Sequence, residues 1–123
     1  MRALIVDDSR TMRMILKKQL AELGFVEIFE AGDGVEALRV LDGISAPDVA
    51  LVDWNMPNMS GIDFVAAVRN NAAWNAMKVV MVTTASDLAR VQRALGEGAN
   101  EFVVKPFTPQ MLSEKLMMVG VAA

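Results

Sequence analysis

Three aspartates, a threonine and a lysine stand where apolar runs stop. Leu4-Ile5-Val6 gives way to Asp7 and Asp8, Val49–Val52 to Asp53, Val79–Val82 to Thr83, and Phe102–Val104 to Lys105. If these runs are strands of one sheet that point the same way, their ends meet at one edge. Asp7, Asp8 and Asp53 then come close together, and like charges ~4 Å apart repel by about 4 kcal/mol at an effective dielectric of 20. A proton or a cation must offset that. Oxygen donors without sulfur or imidazole select hard cations, Mg2+ first and Mn2+ next. An aspartate beside such a cation is a competent phosphoryl acceptor, because phosphoryl transfer asks mainly for positioning and charge neutralisation. Lys105 would add positive charge for the phosphoryl oxygens, and the Thr83 hydroxyl could donate to the same group.

Composition removes most other chemistry. The chain holds no cysteine and no histidine. Disulfides, thiolate nucleophiles and cysteine-ligated metals are excluded, as are the serine-histidine triad and histidine-ligated zinc. A formal net charge of −3 gives no overall attraction to nucleic acid or to an anionic membrane. No apolar run approaches the roughly 18 residues of a membrane span, and MRALIVDD does not read as a signal peptide. A cytoplasmic location is the expectation.

The elements that must position these residues are legible in the spacing. With 54% hydrophobic and 22% charged residues over 123 positions, one compact domain is expected, with no internal repeat or linker. Ser9 is placed to cap a helix with Met12, Ile15, Leu16, Leu20 and Leu23 at helical spacing, ended by Gly24. Val26 to Ala31 alternates, as an edge strand does. Helices follow over Asp33 to Leu41, about Ser60 to Arg69, Asp87 to Leu95 and about Pro109 to Val119. Their inward positions are Val35, Leu38 and Leu41; Ile62, Val65 and Val68; Leu88, Val91 and Leu95; and Leu112 and Leu116. The tail from Val119 to Ala123 is expected to fray. Most of the methionines are expected to fill the core, with Met111, Met117 or Met118 offering an adaptable contact surface. Arg90 and Arg93 form a solvated helix face. The result is a (βα)5 pattern of continuous apolar strands, hence a parallel sheet with helices on both faces, a three-layer α/β fold. Open sheets of this kind bind ligands at the carboxyl ends of their strands.

Taken singly, each site residue has an ordinary explanation. Asp7 and Asp8 could cap the first helix, and Asp53 could be a turn residue. Lys105 could be a solvated cation, Thr83 a strand former, and Phe102 a core aromatic. It is their coincidence at strand ends that favours a site.

The stretches Leu4-Ile5-Val6-Asp7-Asp8-Ser9, Asp53-Trp54-Asn55-Met56-Pro57-Asn58-Met59-Ser60-Gly61, Met81-Val82-Thr83 and Phe102-Val103-Val104-Lys105-Pro106-Phe107 resemble the receiver domain of two-component response regulators, in its CheY-like single-domain form. The resemblance runs over essentially the whole of residues 1–123 and implies one receiver domain without an output domain. It implies the flavodoxin-like (CheY-like) fold with strand order 2-1-3-4-5. Asp53 would be the phosphoacceptor, with phosphate supplied by a histidine kinase, a phosphotransfer protein or a small phosphodonor. Asp8, Asp53 and the backbone carbonyl of Asn55 would contact Mg2+, with Asp7 acting through water. Lys105 would pair with the phosphoryl group, and its bond to Pro106 is commonly cis in the family. Thr83 and Phe102 would relay the change to a face built from the fourth helix, fifth strand and fifth helix, where a protein partner binds. The family implies a monomeric switch rather than an enzyme, plausible in chemotaxis or motility control, unless the chain serves as a phosphate sink. Phe102 stands where tyrosine is common. Thr84 and Ser86 follow Thr83 at positions that tune water access to the phosphoryl group.

Other readings fit less well. A phosphatase of the haloacid dehalogenase type needs a second aspartate two residues after its nucleophile, where this chain has Asn55. A flavodoxin-like redox module would set Asp7 and Asp8 against the FMN phosphate. A constitutive scaffold would have no need of the complete residue set.

Overall fold

The computed structural model describes residues 1–121, apart from the side chains of Ala85 and Leu88. The expected inward position of Leu88 and the last two residues of the tail lie outside the described residues; the rest of the tail does not fray, since Val121 is buried against α5 with its amide on the Leu116 carbonyl (2.9 Å). In chain order the elements are β1 (Arg2–Val6), α1 (Arg10–Glu22), β2 (Glu27–Ala31), α2 (Gly34–Asp42), β3 (Val49–Asp53), α3 (Gly61–Arg69), β4 (Lys78–Thr84), α4 (Leu88–Gly96), β5 (Glu101–Lys105) and α5 (Pro109–Met118). Short 3-10 turns at Ala72–Trp74 and Ala85–Asp87 flank β4. The five strands are parallel in the order β2-β1-β3-β4-β5, as expected.

Strand residues alternate between two core layers. Leu4, Val6, Ala50, Val52, Val79 and Met81 face α2, α3 and α4, packing on Leu41, Phe64, Val65, Val68 and Val91. Ala3, Ile5, Leu51, Val80 and Val82 face α1 and α5, packing on Leu16, Leu20, Leu112 and Leu116. A sheet buried on both faces needs apolar residues at every position, which is why β1, β3 and β4 read as unbroken runs. Four helices start on a hydroxyl or carboxylate that accepts from a first-turn amide: Ser9 for α1, Asp33 for α2, Ser60 for α3 and Thr108 for α5.

Several expectations need correction. Val35 is only half-buried and belongs to neither core layer, α2 burying Ala37 and Leu41 instead. Ile15 keeps helical spacing in α1 yet is 44% exposed. The buried stripe runs through Leu16 and Leu20, and Ile15 lies on its flank beside Gln19, Pro106 and Phe107. The methionines are not mostly core: Met77 and Met81 are buried, whereas Met1, Met14, Met111, Met117 and Met118 are exposed. The α5 methionines do face outward, where an adaptable contact surface was expected.

At the sheet edge opposite the aspartates, Arg69 ends α3 without a carboxylate partner among the described residues. Its Nε donates to the Gly98 carbonyl (2.9 Å), its Nη1 to those of Trp74 (3.3 Å) and Asn75 (3.4 Å), and its Nη2 to Asn100 Oδ1 (2.9 Å). Gly98 has φ +120°, and a Cβ there would stand 2.6 Å from Arg69 Cγ. Both the backbone and the arginine stem therefore demand glycine.

Candidate functional site

Parallel register decides which strand ends become neighbours. Val6 pairs with Val52, so Asp7 and Asp53, one residue further on each strand, lie side by side. Asp8 follows at the entry to α1. One carboxylate oxygen from each of Asp7, Asp8 and Asp53 falls within 4.8 Å of the other two. Lys105 comes from the far edge strand. β3 and β5 are two spacings apart, about 9–10 Å, a gap only a long side chain can span. Lys105 Nζ reaches across β4 to 3.1 Å from Asp53 Oδ1 and 3.7 Å from Asp7 Oδ2. The Lys105–Pro106 peptide is cis, as the family resemblance implied.

The electrostatics of the group are unbalanced. Asp53 has a side chain only 12% exposed. Burial, reinforced by the charge of Asp7, raises its pKa above the usual 3.8, and the Lys105 ammonium pulls only partly the other way. Asp7 is buried; its Oδ1 accepts the Ser9 amide (2.8 Å), but its Oδ2 accepts no hydrogen bond. A buried carboxylate oxygen left so is costly unless something fills the position. The residues fit a hard divalent cation: an all-oxygen donor set, an orphaned buried oxygen and one ammonium against three carboxylates. Arg13 backs the cluster, donating through Nη1 to the Asp7 carbonyl and pairing through Nε with Glu30 (3.4 Å).

The loop after Asp53 is held from two sides. Asn58 is in the left-handed region (φ 67°), and its side-chain Nδ2 donates to Asp33 Oδ2 (2.9 Å). The Glu36 amide and then Asn58 hold the Asp33 carboxyl below its usual range. On the other side, Asn55 Nδ2 donates to Asp87 Oδ2 (3.3 Å). Asp33, Asp87, Arg13 and Asn58 were not singled out from sequence. Each acts on a partner distant in the chain, and only the capping position of Asp33 left a local signal.

Gly61 opens α3 directly beneath the site, its amide donating to the Trp54 carbonyl (3.1 Å). A Cβ at Gly61 would stand 2.8 Å from the Asp53 carbonyl, 2.8 Å from Met81 Cε and 3.2 Å from Trp54 Cα. The methionine tip can yield, but the backbone of β3 cannot without moving Asp53. Gly61→Ala is expected to lose about 1–3 kcal/mol of stability and to weaken divalent-ion binding. Urea denaturation and a Mg2+ titration followed by Trp54 fluorescence check both effects.

Thr83 ends the buried part of β4. Its hydroxyl is buried and donates to the Thr84 carbonyl (3.3 Å) rather than to Asp53. Phe102 is half-buried at the edge of the α2–α3–α4 core layer, with Lys115 Nζ 4.9 Å from its ring centroid. The sequence-predicted residues thus divide: Asp7, Asp8, Asp53 and Lys105 form one group, while Thr83 and Phe102 lie on the strands beside it.

The pattern of the response regulator receiver domain matches residues 3–117. Chemotaxis protein CheY1 of Helicobacter pylori is 46% identical over 119 residues, covering 97% of this chain and 96% of that protein. The chemotaxis protein CheY homolog of Campylobacter jejuni is 47% identical over 116 residues, covering 94% of this chain and 89% of its own. Among solved structures, chemotaxis protein CheY4 of Vibrio cholerae superposes with a TM-score of 0.87 at 36% identity, covering 96% of this chain and 97% of that one. CheY is a standard example of sheets that bind ligands at their switch point, and here the switch lies between β1 and β3, where the aspartates converge. A likeness of this extent, on a sheet of the same order, places the chain in the response regulator receiver domain family of two-component signalling, among its CheY-type members.

Proposed function

We propose that Asp53 is the phosphoacceptor of a switch that changes the chain's affinity for a protein partner. The observation that carries this reading is the Asp7–Asp8–Asp53 cluster with Lys105 on Asp53 and an unsatisfied oxygen on Asp7. The donor is a phosphohistidine of a kinase or phosphotransfer protein, or a small acyl phosphate. An Asp53 carboxylate oxygen bonds to phosphorus as the bond to the donor's imidazole nitrogen or acyl oxygen breaks. Asp8, Asp53 and the Asn55 carbonyl would hold Mg2+, with Asp7 acting through water. When bound, the ion supplies charge neutralisation for the transferring group. Lys105 pairs with the phosphoryl oxygens, and the Thr83 hydroxyl turns from the Thr84 carbonyl toward them. A phosphoryl group adds roughly −1.5 to −2 charges and three strong acceptors, so it favours the arrangement that brings donors to it. Phe102 and the α4–β5–α5 face respond, and the exposed Met111, Met117 and Met118 give α5 an adaptable surface. The similarity to chemotaxis proteins favours a partner in motility control and a cytoplasmic site of action. No helix among the described residues is long and apolar enough to cross a membrane.

The test is incubation with acetyl phosphate and Mg2+ followed by mass measurement. Wild type is expected to gain one phosphoryl group and Asp53→Asn none; an equal gain in both removes Asp53 from the mechanism. Lys105→Ala is expected to slow phosphorylation by about 10²-fold without abolishing it, and to leave partner affinity unresponsive to the phosphate that is captured. A variant that still switches its partner normally would show that Lys105 has no part in the relay.

A further inference from the structure

Asp87 occupies the N-cap position of α4, yet its carboxylate makes no capping hydrogen bond to the helix. Instead Oδ2 accepts from two side chains on different segments, Asn55 Nδ2 at 3.3 Å and Thr84 Oγ1 at 3.1 Å. Thr84 Oγ1 also shares a hydrogen bond with Ser86 Oγ at 2.9 Å. Asn55 lies two residues after Asp53, and Thr84 adjoins Thr83, whose hydroxyl is bonded to the Thr84 carbonyl. One carboxylate oxygen therefore ties the loop beside the aspartates to the segment that leads into α4.

An aspartate at an N-cap ordinarily accepts from the second or third helical amide, and its charge suits the positive end of the helix. In the bridged position Asp87 has φ −100° and ψ 6° at the end of the Ala85–Asp87 turn, unlike the extended caps of the other four helices, so the carboxylate can cap α4 only if this residue also turns. We propose that Asp87 is a two-position strut that restrains the unphosphorylated form. In the bridged arrangement it holds Thr84, and through the Thr84 carbonyl it holds the Thr83 hydroxyl away from Asp53. When a phosphoryl group draws that hydroxyl across, Thr84 moves, the bridge opens and the carboxylate is released to cap α4. This rests on the receiver reading of the Asp53 site and adds to it a group that sets how readily the switch is thrown. A restraint present in only one of two states lowers the apparent affinity of any ligand that selects the other.

The experiment uses the full chain with Mg2+ and beryllofluoride, an analogue of the phosphoryl group, followed by Trp54 fluorescence. Thr84→Val removes one arm of the bridge and keeps the carboxylate. Asp87→Ala removes both bridge and cap. Thr84→Val is expected to bind beryllofluoride about fivefold more tightly than wild type; Asp87→Ala loses the restraint and the cap together and is expected to bind it less tightly than Thr84→Val, with Mg2+ affinity alone changed less than about twofold in each. Hydrogen exchange supplies a readout that a merely structural role would not move. The first-turn amides of α4 are expected to gain protection on beryllofluoride binding in wild type and Thr84→Val, and not in Asp87→Ala. Unchanged or weaker beryllofluoride binding in Thr84→Val, or equal protection in Asp87→Ala, overturns the strut. A wild type blind to beryllofluoride overturns the receiver reading and the strut with it; a responsive wild type with unresponsive variants overturns the strut alone.

Discussion

Without divalent ions, Asp53→Asn is expected to melt several degrees above wild type at neutral pH. The carboxylate at this position is largely buried, faces Asp7 and Asp8, and has only the Lys105 ammonium to offset them. Asparagine keeps the shape and an oxygen for Lys105 while removing the repulsion, and Lys105 retains its contact with Asp7. A gain of about 1–2 kcal/mol is reasonable once the lysine contact is set against the like-charge pairs, and for a chain of this size each kcal/mol moves the midpoint by about 3–5 °C. The pH dependence has a definite sign. Asp53 binds its proton more tightly folded than unfolded, so its protonated form favours folding. That contribution is present below the unfolded value of 3.8 and is lost as pH rises through the elevated folded value. The gap between variant and wild type should therefore be small in acid, open from about pH 4 upward, and level off. Mg2+ should stabilise wild type more than the variant and narrow the gap. Thermal melts at several pH values with and without Mg2+ check this. A variant less stable than wild type in chelator at pH 7 would mean that the carboxylates do not strain the fold.

Arg69→Met is expected to destabilise the fold by about 2–4 kcal/mol. The guanidinium serves three backbone carbonyls and the Asn100 side chain at once, and Asn100 Oδ1 in turn accepts the Val79 amide (2.8 Å). Burial lowers its pKa, and hydrogen bonds rather than a counter-ion surround the charge. Methionine matches the stem and leaves the acceptors at Trp74, Asn75 and Gly98 without their donor. Lysine keeps the charge but not the fork, and should recover only part of the loss. Urea unfolding at fixed pH, with unchanged slope, measures it. A change below about 1 kcal/mol would mean that water satisfies these carbonyls equally well. Because Arg69 lies at the edge of the sheet away from the aspartates, divalent-ion affinity should not change while the variant remains folded.

Much of this was legible from one-dimensional spacing. Burial on both faces writes continuous apolar runs, so β1, β3 and β4 and the residues that end them could be read directly. Helix caps are equally local: Ser9 and Ser60 each bond an amide three residues on. The convergence of Asp7, Asp8, Asp53 and Lys105 followed because parallel strands bring their carboxyl ends to one edge.

Long-range side-chain partnerships were not legible. Ile15 shares the helical period of its neighbours, yet a rotation of one position around α1 leaves it on the flank. Asp87 reads only as the start of a helix, and the bonds its carboxylate accepts from Asn55 and Thr84 arise only in the folded chain. Arg69 reads only as the end of a helix, and the packing of two further segments, at Trp74 and Asn75 and at Gly98 and Asn100, makes it a fastener. Periodicity and strand-end chemistry are properties of short stretches, so the chain's order alone carries the layer architecture and the acidic site. Hydrogen-bond partners depend on which distant segments pack together, so the roles of Asp87, Arg69 and Asn58 emerged only from the folded chain.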